Sequence, residues 1–180
     1  MPPAIINEES LKGFTNPGQH QVFLLTSPIP FPFGFAVHAW FVTQVDGEIH
    51  RYEFGKFRGS PNPNGIGLLK DYFKPTTGMN RYWWQRRDRY PSKLIGKIAG
   101  GEKSVAARMI SFLKEHSDKY PHKTKYNYLG PNSNTYAGWV LGHFTDSGLK
   151  LPLSAVGRNY PARKLFVSDD NTIRLVDIKP

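Results

Sequence analysis

A serine at the predicted start of a helix is the residue best suited to nucleophilic chemistry in this chain. Gly130-Pro131 ends an extended segment, and Asn132 and Ser133 follow it as helix-capping residues. The apolar residues after them recur at helical spacing, at Tyr136, Trp139, Val140 and Phe144. Backbone N–H groups at a helix start can stabilise an oxyanion that forms beside such a hydroxyl. Because Asn and Ser are also preferred N-cap residues, a purely capping role is the alternative.

A serine nucleophile needs a general base, and His38 lies on a predicted strand far upstream. Residues 35–45 and 48–54 are two β-prone runs separated by Asp46-Gly47, which is among the strongest short-range hairpin signals. A histidine beside Trp40 on such a strand can be the base that takes the serine proton. The alternative is a packed, hydrogen-bonded core histidine.

The register of this hairpin decides which side chain orients the histidine. A two-residue turn pairs Trp40 with Glu53 and makes Glu53 a diagonal neighbour of His38 on one face of the sheet. His50 then lies on the other face, whereas a slip of one residue would put His50 beside the histidine instead. The predicted orienting group is therefore Glu53 or His50, and Glu53 has the alternative of pairing with Arg51.

A second set of candidates, for ligand binding, comes from a run in which arginines alternate with aromatic residues. The candidates in that run are Arg81, Trp83, Trp84, Arg86 and Arg87, to which Trp40 is added from the hairpin. Cations that alternate with aromatic faces can hold phosphates and stack on bases or sugars. Alternatively, the tryptophans anchor the segment on the core while the arginines stay solvated. No nucleic-acid-binding module signature accompanies the run.

Composition limits the chemistry and favours anionic partners. The chain has 180 residues and no cysteine, which excludes a thiol nucleophile, a thiolate zinc site and disulfides. The absence of cysteine fits a reducing compartment, and we expect a cytoplasmic protein. The net charge of +10 favours nucleic acid, acidic glycan or lipid headgroups as partners. His116, His122 and His143 lack a second ligand at metal-binding spacing, so we expect no metal and no other cofactor.

The order of predicted elements indicates a single α+β domain with a mostly antiparallel sheet. An irregular lead-in over residues 1–19 precedes the first strand, at residues 21–26. After the hairpin, residues 55–67 are rich in Gly, Pro and Asn, which is typical of a loop that can cover a site. The remaining predicted elements are a short run at residues 68–73, an amphipathic core helix over 102–115, the Ser133 helix, and a terminal hairpin of residues 164–168 and 173–178.

One stretch has the length and apolar content of a membrane span. Residues 21–44 carry no charged side chain. Three prolines and Gly34 would break a helix there, so we expect two buried strands joined by a Pro-rich link and no transmembrane span. The N-terminus lacks a basic flank followed by an apolar core, so we expect no cleaved secretion signal.

Three blocks of the sequence together resemble an uncharacterised bacterial family, a domain of unknown function. The blocks are residues 35–40, 130–136 and 151–160. A strand histidine followed much later by an Asn-nucleophile helix start also resembles the circularly permuted papain-like superfamily. That superfamily includes permuted relatives of the NlpC-type cell-wall peptidases and the lecithin:retinol acyltransferase group. Its nucleophile is cysteine, whereas this chain and the uncharacterised family have serine at that position.

The resemblance implies a permuted papain-like fold and a set of residue roles. Ser133, preceded by Asn132, is the counterpart of the nucleophile, His38 is the base, and Glu53 or His50 is the third group. The implied activity is that of a Ser/His hydrolase or acyltransferase on amide or ester bonds of a small molecule, cell-envelope peptide or lipid. A hydroxyl depends almost wholly on a well-placed base, whereas a thiol is partly ionised at neutral pH. The alternative function is therefore a catalytically inactive papain-like module that binds an anionic ligand, whether glycan, lipid headgroup or nucleic acid.

Overall fold

The computed structural model describes most of the chain, with gaps. Its backbone is described over residues 4–6, 11–29, 34–56, 62–72, 92–162, 164–167 and 173–176, and its side chains over 11–29, 34–56, 62–70 and 92–162. The predicted Arg/Trp run at residues 81–87 and the Pro-rich residues 30–33 lie outside the described ranges. Ligand binding by that run therefore stays a prediction.

An antiparallel sheet of six strands is the main element of the described fold. The strands are β1 Ala4–Ile6, β2 His20–Pro28, β3 Val37–Val45, β4 Glu48–Lys56, β5 Ile66–Tyr72 and β6 Ser92–Gly100. Their spatial order is β1-β6-β2-β3-β4-β5, and all neighbouring pairs are antiparallel. A separate two-stranded hairpin consists of β7 Lys164–Val167 and β8 Ile173–Val176. The predicted α+β class, its antiparallel sheet and the terminal hairpin are confirmed.

The hairpin of β3 and β4 has the predicted turn and register. Asp46 and Gly47 both have positive φ, at 50° and 84°, as a two-residue turn of mirror-image type requires. Val45 pairs with Glu48, and the register places Val42 opposite Arg51. Because side chains alternate along a strand, this register fixes which residues of β3 and β4 share a face.

Two strands of the sheet were not predicted. Residues 4–6 form β1 at the sheet edge, so the prediction of an irregular lead-in over residues 1–19 was wrong there. Strand β6, between β1 and β2, has the sequence SKLIGKIAG, in which glycines and lysines interrupt the apolar residues. Pairing with neighbours that are distant in sequence overrides this weak local preference.

Two helices pack on one face of the sheet. Helix α1 spans Val105–His116, and helix α2 spans Ser133–His143. Both contribute to a core that includes Phe41 and Phe54 from the sheet, and α2 is buried on most sides. The opposite face of the sheet carries Trp40, which packs in a second cluster with Leu11 and neighbouring strand residues.

We expect Gly47→Ala to destabilise the protein by about 1–2 kcal/mol, because a Cβ is disfavoured at positive φ. The site is open, with nothing within 4 Å of an added Cβ, so the whole effect comes from the backbone. Gly101→Ala is the matched control, since Gly101 is equally open and lies outside the positive-φ region. Urea unfolding of both variants measures the difference. Equal stability of the two variants would contradict the turn geometry.

Candidate functional site

The start of α2 is capped by Asn132, which leaves the Ser133 hydroxyl without a capping role. Asn132 Oδ1 accepts hydrogen bonds from the backbone N–H groups of Asn134 and Thr135, at 3.0 and 3.1 Å. Thr135 Oγ1 accepts in return from the Asn132 backbone N–H, at 3.1 Å, which completes a capping box. Ser133 is the first helical residue and is only 2% exposed. The helix cap is therefore Asn132, and not Ser133.

Tyr126 is the residue that meets Ser133. Burial raises the pKa of Tyr126 to about 12, while hydrogen bonding from the Ser133 side chain and backbone partly offsets this rise. The negative charge of Glu53 also raises the pKa of this phenol, so the two side chains interact electrostatically. The Tyr126 ring packs on Phe54, with ring centroids 5.8 Å apart. Sequence reasoning missed Tyr126, and no local signal distinguishes it from the other tyrosines.

His38 and Glu53 form a buried pair on adjacent strands. His38 Nε2 lies 2.5 Å from Glu53 Oε1, and both side chains are only 11% exposed. The other carboxylate oxygen, Oε2, lies 3.3 Å from Arg51 Nε. Burial acts to raise the pKa of Glu53, but the His38 charge, the His38 hydrogen bond and the Arg51 charge together hold that pKa below its usual value. Glu53 is therefore the predicted neighbour that the structure places beside the imidazole.

The pair fixes which nitrogen of His38 can act as a base. Glu53 is ionised at neutral pH, because its pKa is lowered, so it accepts a hydrogen bond from Nε2–H. In the neutral imidazole this leaves Nδ1 as the unprotonated nitrogen. Nδ1 makes no hydrogen bond within the described ranges. A carboxylate behind one nitrogen and an available lone pair on the other is the arrangement that a general base requires.

His50 and Trp40 take different positions relative to this pair. His50 lies on the helix-packed face, where it lines a cleft of about 780 Å³ with residues of α1. Its Nε2 is 3.5 Å from Glu48 Oε2, so His50 is not the residue behind His38. Trp40 lies beside His38, with ring centroids 5.7 Å apart, and its buried Nε1 has no acceptor among the described residues.

The ladder between β3 and β4 opens close to His38. The last paired residues are Phe41 and Tyr52, although β3 begins at Val37 and β4 continues to Lys56. In the opening, the backbone N–H of Val37 donates to Ser154 O at 3.0 Å, and its carbonyl accepts from Asn134 Nδ2 at 2.7 Å. The first turn of α2 is therefore attached to the strand residue that precedes His38.

Ser133 and His38, the predicted nucleophile and base, lie on different faces of the sheet at the opening between β3 and β4. Strand alternation places His38 on the face that carries Trp40, whereas α2 and Ser133 lie on the face that carries Phe54. No hydrogen bond joins the Ser133 hydroxyl to the His38 ring in the described part of the chain. The attachment of α2 to Val37 brings their backbones together, while the serine side chain lies close enough to Tyr126 to affect the pKa of its phenol.

The segment 151–160 is bound to the start of α2 by the side chains of the capping turn. Asn132 Nδ2 and Asn134 Nδ2 both donate to Val156 O, at 3.1 and 2.8 Å, and Thr135 Oγ1 donates to Gly157 O at 2.7 Å. A Cβ at Gly157 would lie 2.6 Å from Asn132 Nδ2, so only glycine fits this approach. Asn134 is thus a positioning residue that sequence reasoning missed, although it lies within the 130–136 block.

Neither a metal centre nor a membrane-spanning helix is found in the ranges that the structure describes. No three potential metal ligands come together there. The described helices likewise fall short of the length and apolar content that a bilayer crossing needs.

We expect Glu53→Gln to lower the free energy of unfolding at pH 7 by about 2 kcal/mol, because charge-assisted bonds to His38 and Arg51 are lost. The pKa of Glu53 is lowered in the folded state, so this stabilisation is present above the unfolded value of about 4.3 and is lost as pH falls through the folded pKa. Urea unfolding between pH 3 and pH 7 should show the gap to wild type closing at low pH. Glu48→Gln, whose side chain is 72% exposed, is the control and should change stability little. A gap that is independent of pH would contradict the ionised pair.

Comparison with known proteins gives one family. The chain matches the family described as "Protein of unknown function (DUF3750)" over residues 19–160, which covers strands β2–β6, both helices and the 151–160 segment. No curated protein and no solved structure matches the chain. Because the match spans most of the sequence, the chain belongs to the DUF3750 family of proteins of unknown function.

Proposed function

We propose that the protein is a Ser/His hydrolase or acyltransferase with a permuted papain-like arrangement of its site. The observation that carries the proposal is the buried His38–Glu53 pair, whose 2.5 Å contact occupies Nε2 and leaves Nδ1 as the base. The second support is a buried serine on the first turn of a helix that is attached to the neighbouring residue of the histidine strand. Substrates on this proposal are amides or esters.

The first step requires Ser133 Oγ and His38 Nδ1 to meet through the opening between β3 and β4, because strand alternation places them on different faces of the sheet. Nδ1 then takes the hydroxyl proton while Oγ forms a bond to the substrate carbonyl carbon, which gives a tetrahedral oxyanion. Glu53 stabilises the imidazolium that results, and Arg51 keeps the carboxylate ionised. Collapse of the intermediate expels the leaving amine or alcohol, which takes the proton from His38, and leaves an acyl group on Ser133.

On this proposal the oxyanion is held by the Tyr126 hydroxyl and by the Ser133 backbone N–H, which must first turn from the Tyr126 oxygen to the oxyanion. The sequence predicted backbone N–H groups of the helix start in this role, but those of Asn134 and Thr135 are already bonded to Asn132 Oδ1. Because burial raises the pKa of Tyr126 to about 12, its phenol stays protonated at neutral pH and can donate. Water or an acceptor nucleophile then attacks the acyl group, with His38 as the base again, and regenerates Ser133.

A fluorophosphonate probe tests for an activated serine. We expect covalent labelling of wild type on Ser133, and loss of labelling in Ser133→Ala and His38→Ala, because removal of either the nucleophile or the base removes most of the acceleration. Tyr126→Phe should lower the labelling rate by about 10²-fold through loss of an oxyanion donor. Mass spectrometry of the labelled peptide identifies the site.

Ser104→Ala is the matched control for this experiment. Ser104 is also a serine at a helix start, where its Oγ caps α1 by accepting from the Ala107 N–H at 3.2 Å. Its removal should leave labelling unchanged. Labelling that persists in Ser133→Ala, or is absent from folded wild type over pH 6–9, would refute the proposed enzyme.

A second candidate function is binding of an anionic ligand without catalysis. It is favoured by the buried Trp40 Nε1, which has no acceptor in the described part of the chain and lies beside His38. An anionic oxygen could accept from this indole N–H. The position of Ser133 favours the same function, because its hydroxyl makes no hydrogen bond to the His38 ring in the described part of the chain.

Calorimetric titration with inorganic phosphate tests this candidate. On the binding hypothesis, Trp40→Phe should weaken phosphate binding by about tenfold or more, because a hydrogen bond to a charged group is lost. Ser133→Ala is the control and should bind like wild type. Absence of binding, or equal binding by Trp40→Phe and wild type, would remove this candidate.

A further inference from the structure

Exposed apolar side chains are concentrated around the start of α2. Six large hydrophobic residues are exposed within the described ranges, and five of them lie on three segments next to this helix start. They are Phe35 (71% exposed), Tyr128 (63%), Leu129 (77%), Leu153 (85%) and Tyr160 (40%), which we call the apolar collar. The sixth, Phe14, lies elsewhere, in the segment before β2. Single exposed apolar residues are ordinary, whereas a concentration of them at one place marks an interaction surface.

Backbone contacts show that the three collar segments converge. Asn132 Nδ2 donates to both Tyr128 O and Val156 O, which joins the 128–130 segment to the 151–160 segment. Asn134 Nδ2 joins Val156 O to Val37 O and so adds the segment that carries Phe35. The collar therefore surrounds the same helix start that carries Ser133.

Further contacts place individual collar residues next to one another. The backbone N–H of Val37 donates to Ser154 O, which brings Phe35 and Leu153 onto adjacent segments. A Cβ at Gly130 would lie 2.8 Å from the Tyr160 side chain, so Tyr160 packs on Gly130, the residue after Leu129. The segments that carry the collar residues thus lie next to one another.

The chain around the collar is basic. Residues 119–160 contain five lysines and arginines but a single acidic residue, Asp146. That aspartate is paired with Arg108 of α1. Lys123 and Lys125 are exposed and precede Tyr128, while Arg158 Nη1 donates to Leu153 O at 2.6 Å. Two of the segments that carry the apolar collar are therefore basic in sequence, or follow basic residues, within the described ranges.

We propose that the apolar collar docks on an anionic lipid surface, and that the acyl substrate of Ser133 is presented from that surface. Exposed leucines and a phenylalanine enter the boundary between headgroups and acyl chains, tyrosines stay at headgroup level, and the basic residues meet anionic headgroups. The part about substrate rests on the function proposed above, whereas the docking surface stands on the collar and its charge alone.

Charge favours a lipid surface over a second copy of the chain as the occupant. A symmetric dimer through the collar would bring the same basic residues of both copies together, and like charges across an interface oppose association. An anionic bilayer instead neutralises them, and its effect grows with the chain's net charge of +10. A peripheral contact of this kind needs no spanning helix.

Sedimentation with lipid vesicles tests the docking surface. Wild type should bind vesicles of phosphatidylcholine with 30% phosphatidylglycerol, and should bind pure phosphatidylcholine more weakly by about tenfold or more. The double variant Leu129→Ser/Leu153→Ser should bind the anionic vesicles at least about tenfold more weakly than wild type, because two insertions are lost. Thermal unfolding should be nearly unchanged, since both leucines are exposed.

Phe14→Ser is the matched control, because it removes an exposed aromatic residue outside the collar. Equal loss of binding in the control and the collar variant, or no loss in either, would overturn the proposal. So would absence of wild-type binding to any vesicle at low salt. A concentration-dependent dimer that the collar variant abolishes, measured by analytical ultracentrifugation, would assign the collar to a second copy instead.

Ser133→Ala separates the docking surface from the chemistry. This variant should bind vesicles like wild type, because the serine is buried and is not part of the collar. If wild type binds vesicles but is not labelled by the probe, the docking surface is retained and the proposed enzyme is refuted. Labelling without vesicle binding would retain the enzyme and remove the lipid surface.

Discussion

The amide side chains of Asn132 and Asn134 hold together the region on which the site depends. They donate to backbone carbonyls of three segments that have no regular hydrogen-bonding partners of their own at these points. Buried carbonyls must be satisfied, and segment 151–160 has no strand or helix to do so. Turn bonds and the Val37 N–H satisfy some of its carbonyls, whereas Val156 O accepts from the two asparagine side chains. Loss of the Asn134 amide would remove the donor to Val37 O, and loss of the Asn132 amide would remove the donor to Tyr128 O, whereas Val156 O would keep one donor in either case. The Asn134 side chain is thus the hydrogen-bonded link between the α2 start and β3.

Because Asn132 caps the helix, the Ser133 hydroxyl is not needed as a cap. A serine at the N-cap position accepts backbone N–H bonds with its hydroxyl, and the lone pairs used are then unavailable for other chemistry. Here Asn132 and Thr135 form the capping box, so Ser133 keeps its hydroxyl within the first turn and near Tyr126. The same cap consumes two of the N–H groups that would otherwise surround an oxyanion. The chemistry available at this helix start therefore depends on the phenol of Tyr126, which is not part of the cap but lies next to Ser133.

Local patterns predicted those features that depend on local physics. The Asp46-Gly47 turn fixed the register of β3 and β4, and with it the position of Glu53 beside His38, because a two-residue turn admits one pairing. Strands β1 and β6 pair with distant parts of the chain, and Tyr126 packs on Phe54 of β4, so no period or turn signal marks them. Local patterns likewise do not predict from which face of the sheet a side chain is accessible. Register predicted the neighbours of His38 but not the opening between β3 and β4 beside it.

The cost of the His38–Glu53–Arg51 group is the strongest physical argument that it serves more than folding. Burying ionised groups carries a desolvation penalty, and apolar replacements of similar volume are often as stable or more stable. The pairing lowers the pKa of Glu53 despite its burial, so the interactions with His38 and Arg51 offset the desolvation penalty of the carboxylate. The cluster around Trp40 and Leu11 on the same face shows that this fold can pack apolar side chains there. On the proposed function, a charged carboxylate that holds one imidazole nitrogen and leaves the other available is what proton transfer from Ser133 requires.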